Sequence, residues 1–85
     1  MATQAKISEV FREMIDKELE PHGKTMEDVK DSQTWYRDYT MTTAQCDEWK
    51  TFCIDLMRKK LKWSKALAEK EFAMFNLSYG LKIVD

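Results

Sequence analysis

The chain has two glycines, one proline, two cysteines and a single histidine in 85 residues. Turn-forming residues this scarce exclude a small sandwich or barrel, which needs them every ~8–12 positions. No stretch approaches the ~18–20 apolar residues of a membrane-spanning helix. The opening Met1-Ala-Thr-Gln-Ala-Lys lacks the apolar core of a signal peptide. A Gly-rich phosphate loop, HExxH and GxSxG are all missing, so the common nucleotide, zinc-protease and serine-hydrolase signatures are absent. Net charge is also small, −1, and 44% of the residues are hydrophobic, which excludes a disordered chain.

The two cysteines add little chemistry. Cys46 and Cys53 lie seven residues apart in a helical stretch, roughly 10 Å along the axis, whereas a disulfide needs Cα atoms within about 7 Å. Two buried thiols in a reducing cytosol are the expectation. Their spacing is not that of a zinc site, and His22, just after Pro21, reads as a solvent-facing turn residue. No catalytic residue, metal or cofactor is expected.

What the chain does contain is helical periodicity. Ile7, Val10, Phe11, Met14, Ile15 and Leu19 recur in steps that put them on one stripe, and Pro21-His22-Gly23 closes that segment. Thr42 and Gln45 form a capping box ahead of Trp49, Phe52, Cys53, Leu56, Met57 and Leu61. Ser64 caps a third periodic segment through Phe72, Phe75 and Tyr79, and Gly80 falls where a left-handed residue terminates a helix. The spacing predicts a single all-α domain over residues 1–85, with helices at about 4–19, 43–61 and 65–79 and a packed, irregular connector. The tail Leu81-Lys82-Ile83-Val84-Asp85 is expected either to lie across the bundle or to offer a short strand elsewhere.

Charge is unevenly placed. Residues 1–57 carry a net −5 and residues 58–85 a net +4. Glu9, Glu13, Asp16 and Glu20 form an acidic stripe on the first helix; Arg58, Lys59, Lys62 and Lys65 form a basic patch around Trp63. The basic patch suits phosphate contact with Trp63 stacking on a base. The acidic stripe suits imitation of a row of phosphates. Each also fits an ordinary solvated surface. Ten aromatics and six methionines exceed what three short helices hide, so Trp35, Tyr36, Tyr39, Trp63 and Tyr79 are expected to supply an exposed interaction surface.

The segment Trp35-Tyr-Arg-Asp-Tyr-Thr-Met-Thr-Thr-Ala-Gln, continuing through Trp49 to Asn76-Leu-Ser-Tyr-Gly-Leu-Lys, resembles small accessory proteins encoded by tailed bacteriophages. The resemblance covers residues 35–82 and implies a protein acting in the host cytoplasm on a host partner. It transfers no active-site residues. The leading expectation is a non-enzymatic module that binds a protein or a second copy of itself. The alternatives are a nucleic-acid-binding module using the basic patch and an acidic nucleic-acid mimic. No membrane contact is expected.

Overall fold

A computed structural model describes residues 3–85. The order is α1 (Gln4–Leu19), a one-turn α2 (Met26–Val29), β1 (Thr40–Met41), α3 (Thr43–Leu61), α4 (Lys65–Tyr79) and β2 (Lys82–Ile83). Single 3₁₀ turns follow α1 at Glu20–His22 and precede β1 at Trp35–Arg37. The three long helices match their expected bounds, and the chain is a small, mostly helical domain.

Each helix begins where a side chain satisfies its free N–H groups. The Thr3 hydroxyl accepts from the Lys6 amide, and the Ser64 hydroxyl from the Leu67 amide. At α3 the box is reciprocal: Gln45 N–H donates to Thr42 Oγ1 at 3.1 Å, and Thr42 N–H donates to Gln45 Oε1 at 2.9 Å. The Asp28 carboxylate likewise accepts the Thr25 amide at 2.9 Å and starts α2.

One core runs through all the helices. Val10, Met14, Ile15 and Leu19 of α1 meet Trp49, Cys53, Met57 and Leu61 of α3, with Ala68, Phe72 and Phe75 of α4 closing the space. The Trp49 indole N–H donates to the Met14 carbonyl at 2.8 Å, so its only polar atom is satisfied inside the core.

The connector is more ordered than an irregular strap. It contributes α2 and seats Val29, Trp35 and Met41 in the same core. Trp35, expected at the surface, is only 4% exposed. Its ring lies parallel to Tyr79 at 6.3 Å, and Tyr36 meets it edge-on at 5.7 Å. Further ring pairs, Phe11–Phe75 at 5.1 Å, Phe75–Tyr79 at 5.2 Å and Trp49–Phe72 at 4.9 Å, absorb most of the aromatic surface within the molecule. The connector thus acts as a further wall that three helices alone do not provide. An aromatic surplus is not what this chain exposes.

The tail lies across the bundle. β2 pairs with β1 in parallel, Thr40 opposite Lys82 and Met41 opposite Ile83. The Val84 N–H then donates to the Met41 carbonyl at 2.8 Å. The Asp85 carboxylate accepts the Thr43 hydroxyl at 2.6 Å and the Thr43 amide at 2.8 Å, which holds its pKa below the usual carboxylate value. Gly80 is not left-handed as expected but extended, φ −65°, ψ 138°. Its smallness serves a close approach instead, since a Cβ there would stand 2.5 Å from the Asn76 carbonyl oxygen. The left-handed helix end belongs to Lys62, φ 60°, ψ 26°.

Candidate functional site

The groups with the chemistry of nucleophiles are restrained. Burial pushes the Cys53 thiol far up, and burial followed by the nearby Asp47 and Glu18 carboxylates raises that of Cys46. Neither forms thiolate readily. His22 is exposed, as expected; its Nε2 lies 2.7 Å from the Thr40 carbonyl and its ring 5.0 Å from Tyr39, tying the end of α1 to β1. Among the described residues, no group of three or more His, Cys, Asp or Glu side chains is placed to hold a metal ion. No helix among them is long and apolar enough to cross a membrane.

The acidic stripe is largely committed within the molecule. Glu13 pairs with Lys60 of α3 at 3.5 Å, Asp16 accepts the Met26 amide at 2.7 Å, and Glu20 accepts from Lys17 at 3.4 Å. Glu9 is exposed. Side chains bound to α2, α3 and their own helix are poorly arranged as a free row of phosphate substitutes.

A carboxylate outside that stripe is the most perturbed acid. Glu18, in the last turn of α1, is 3% exposed. Its Oε1 accepts the Leu81 amide at 2.7 Å and joins α1 to the C-terminal segment, while Oε2 has no partner. Burial raises its pKa to about 8, and the Leu81 hydrogen bond lowers it less. Its position was readable: Glu18 follows Met14 by four and Ile15 by three, which puts it on the apolar stripe.

Of the five aromatics expected to form one surface, Trp35, Tyr36 and Tyr79 pack together, whereas Tyr39 lies on His22 and Trp63 lines a separate hollow. Trp35 is in the core; Tyr36, Tyr39 and Trp63 are half-buried; Tyr79 is exposed. Tyr79 borders a concavity of about 400 Å³ over Phe11, Trp35 and Phe75, rimmed by Arg12, Glu27 and Lys30. The rim ions bind one another, Arg12 to Glu27 at 3.0 Å and Lys30 to Glu27 at 2.6 Å.

The outer side of α4 is an exposed apolar face. Leu77 is 90% exposed, Met74 56% and Leu67 38%. With Lys70 they follow steps of three, four and three, a heptad seam turned away from the core residues Ala68, Phe72 and Phe75. Ala66 and Ala73 are also exposed, and small side chains there let a second helix approach closely. Helix α4 therefore has two apolar sides, and the core accounts for one of them. The signal was available in Met74 and Leu77, which do not fit the stripe through Phe72 and Phe75.

The basic patch is partly assembled. Arg58, Lys59, Lys62 and Trp63 line a single concavity of about 390 Å³ where α3 ends, with Asp55 at its side. Lys65 does not line it; its ammonium is 3.9 Å from Glu69 on α4. Lys60, adjacent in sequence, is turned to Glu13. Among the described residues, no ion pair engages Arg58, Lys59 or Lys62. A left-handed conformation at a residue with a Cβ costs about 1–2 kcal/mol. The chain adopts nearly the same conformation at Gly23, φ 69°, ψ 25°, without that cost.

No protein-family model matches this chain, and no curated protein or solved structure matches it either.

Proposed function

We propose that the chain is a non-enzymatic interaction module that self-associates through the outer face of α4. The observation that carries this reading is the exposed Leu67-Lys70-Met74-Leu77 seam, with Leu77 left 90% in water. A heptad spacing matches the repeat of another helix and not a flat surface. The same seam also selects an orientation. In a parallel pair, Lys70 of each copy faces Lys70 of the other and the two ammonium groups repel. In an antiparallel pair, Leu67 packs on the second copy's Leu77 and the Lys70 stem covers the second copy's Met74. Its ammonium then lies three residues, about 4.5 Å along the axis, from the second copy's Glu71.

Restrained thiols and a hydrogen-bonded His22 support a binding role over a chemical one. The reading keeps the host cytoplasm, implied by the resemblance to tailed-phage proteins, as the place of action. The test is sedimentation equilibrium over a concentration series. The wild-type chain is expected to form a concentration-dependent dimer. Burying a leucine contributes about 1.5–3 kcal/mol, so Leu77→Glu, which alters both copies, should weaken association at least a hundredfold. A wild-type chain that stays monomeric at several hundred micromolar overturns self-association, and capture of a different protein by an intact α4 face would redirect the reading to that partner.

A further inference from the structure

We propose that the concavity formed by Arg58, Lys59, Lys62 and Trp63 binds a nucleotide unit, its phosphate held by the three cations and its base stacked on Trp63. Three observations converge. The cations line one hollow of about 390 Å³ and, among the described residues, none is in an ion pair, although carboxylates outnumber cations along the chain. A half-buried indole lines the same hollow, and an aromatic face beside unpaired cations is the combination that recognises a base next to a phosphate. Finally, Lys62 occupies a left-handed position that glycine fills without strain, as Gly23 does elsewhere in the chain. A lysine at such a position runs against local backbone preference, and it lines the hollow.

The shape and charge limit the ligand. Residues 1–57 carry a net −5, which repels a long polyanion laid across the whole molecule. The hollow therefore suits one or a few nucleotides, either free or as a short stretch of an unpaired strand. Asp55 lines the same hollow, and its carboxylate repels a phosphate placed beside it. This site is independent of the α4 pairing, and the Leu77→Glu chain should retain it.

Fluorescence anisotropy with a labelled oligothymidylate of about ten nucleotides, titrated at several salt concentrations, tests the proposal. One phosphate neutralised by the three cations predicts a slope of log affinity against log salt near about −0.7 for a single strand. Lys62→Gly separates function from fold, since it removes one of the three cations and should weaken binding, while relief of the left-handed backbone should raise the melting temperature by ~4–8 °C. Trp63→Leu keeps an apolar side chain and should lower affinity about 5- to 150-fold with the salt slope unchanged. Asp55→Asn should tighten binding.

Competition with thymidine monophosphate distinguishes the sources. Equal competition identifies a free nucleotide, and hundredfold weaker competition identifies a strand. Inorganic phosphate competing as well as the nucleotide would overturn the stacking role of Trp63. Absence of saturable binding at 20 mM salt, or equal binding by the wild-type and Lys62→Gly chains, would overturn the site.

Discussion

Glu18→Gln should stabilise the protein, and by an amount that depends on pH. The wild-type carboxyl is buried, with Oε1 on the Leu81 amide and Oε2 unpartnered, and its pKa is raised from 4.5 to about 8. Between those values the folded chain holds a proton that the unfolded chain has released. Stability from this group is therefore fully present below pH 4.5 and is lost as the pH rises through about 8. At about 1.36 kcal/mol per pKa unit, the loss exceeds about 3 kcal/mol by pH 7 and reaches about 5 kcal/mol above pH 8. Glutamine keeps a carbonyl oxygen for Leu81 and does not ionise, so its stability has no such slope. Urea unfolding followed by tryptophan fluorescence at pH 4.5, 6, 7 and 8.5 should show the two chains converging in acid and separating steadily in base. Parallel stability curves across that range would refute the reasoning, because they would mean that Glu18 is already ionised inside the fold.

Other perturbations test separate parts of the structure. Trp35→Ala should cost about 3–5 kcal/mol in chemical denaturation, the usual range for emptying a large core site; a surface value below about 0.5 kcal/mol would place Trp35 outside the core. Gly80→Ala should destabilise, since the added Cβ meets the Asn76 carbonyl oxygen at 2.5 Å, and thermal melting reads the loss. The Asp85 pKa is lowered by Thr43, so its tether contributes fully above the ordinary carboxylate pKa and is lost as pH falls through the lowered folded value. Amide exchange at Val84, whose N–H is held by Met41, should show less protection in Asp85→Asn than in the wild-type chain at neutral pH. Lys70→Leu should strengthen self-association in sedimentation while removing the preference for antiparallel pairing.

The long helices were legible because their signals are local. Thr42 with Gln45, Ser64 ahead of Leu67, and Pro21 after Leu19 each act within one turn of the residues they organise. The connector was less legible because Trp35 is buried by Tyr79, which is remote in sequence and brought near only by the packing of α4. Gly80 was legible as a necessary glycine but not for its reason, since close approach to Asn76 and a left-handed backbone both demand the missing Cβ. In the sequence the basic patch is four cations around Trp63; backbone direction at Lys62 and the i,i+4 reach of Lys65 to Glu69 decide which of them share the hollow. Leu77 and Met74 were visible as apolar residues, but a single-stripe reading of α4 leaves them without a role.

Local preference and final structure disagree at three places: a carboxyl in the core at Glu18, a left-handed backbone position filled by Lys62, and a leucine in water at Leu77. A domain of this size has a thin stability margin, so each such departure is a substantial fraction of the total. Glu18 has an internal explanation, because its Oε1 holds the Leu81 amide and thereby seats the strand that pairs with β1. Lys62 and Leu77 have none: replacing either by glycine or by a polar residue leaves every described core contact in place. Departures that the fold itself does not use are the natural places to seek what the fold is used for. They fall at the two ends of α4, one facing a basic hollow and the other an unpaired helical seam.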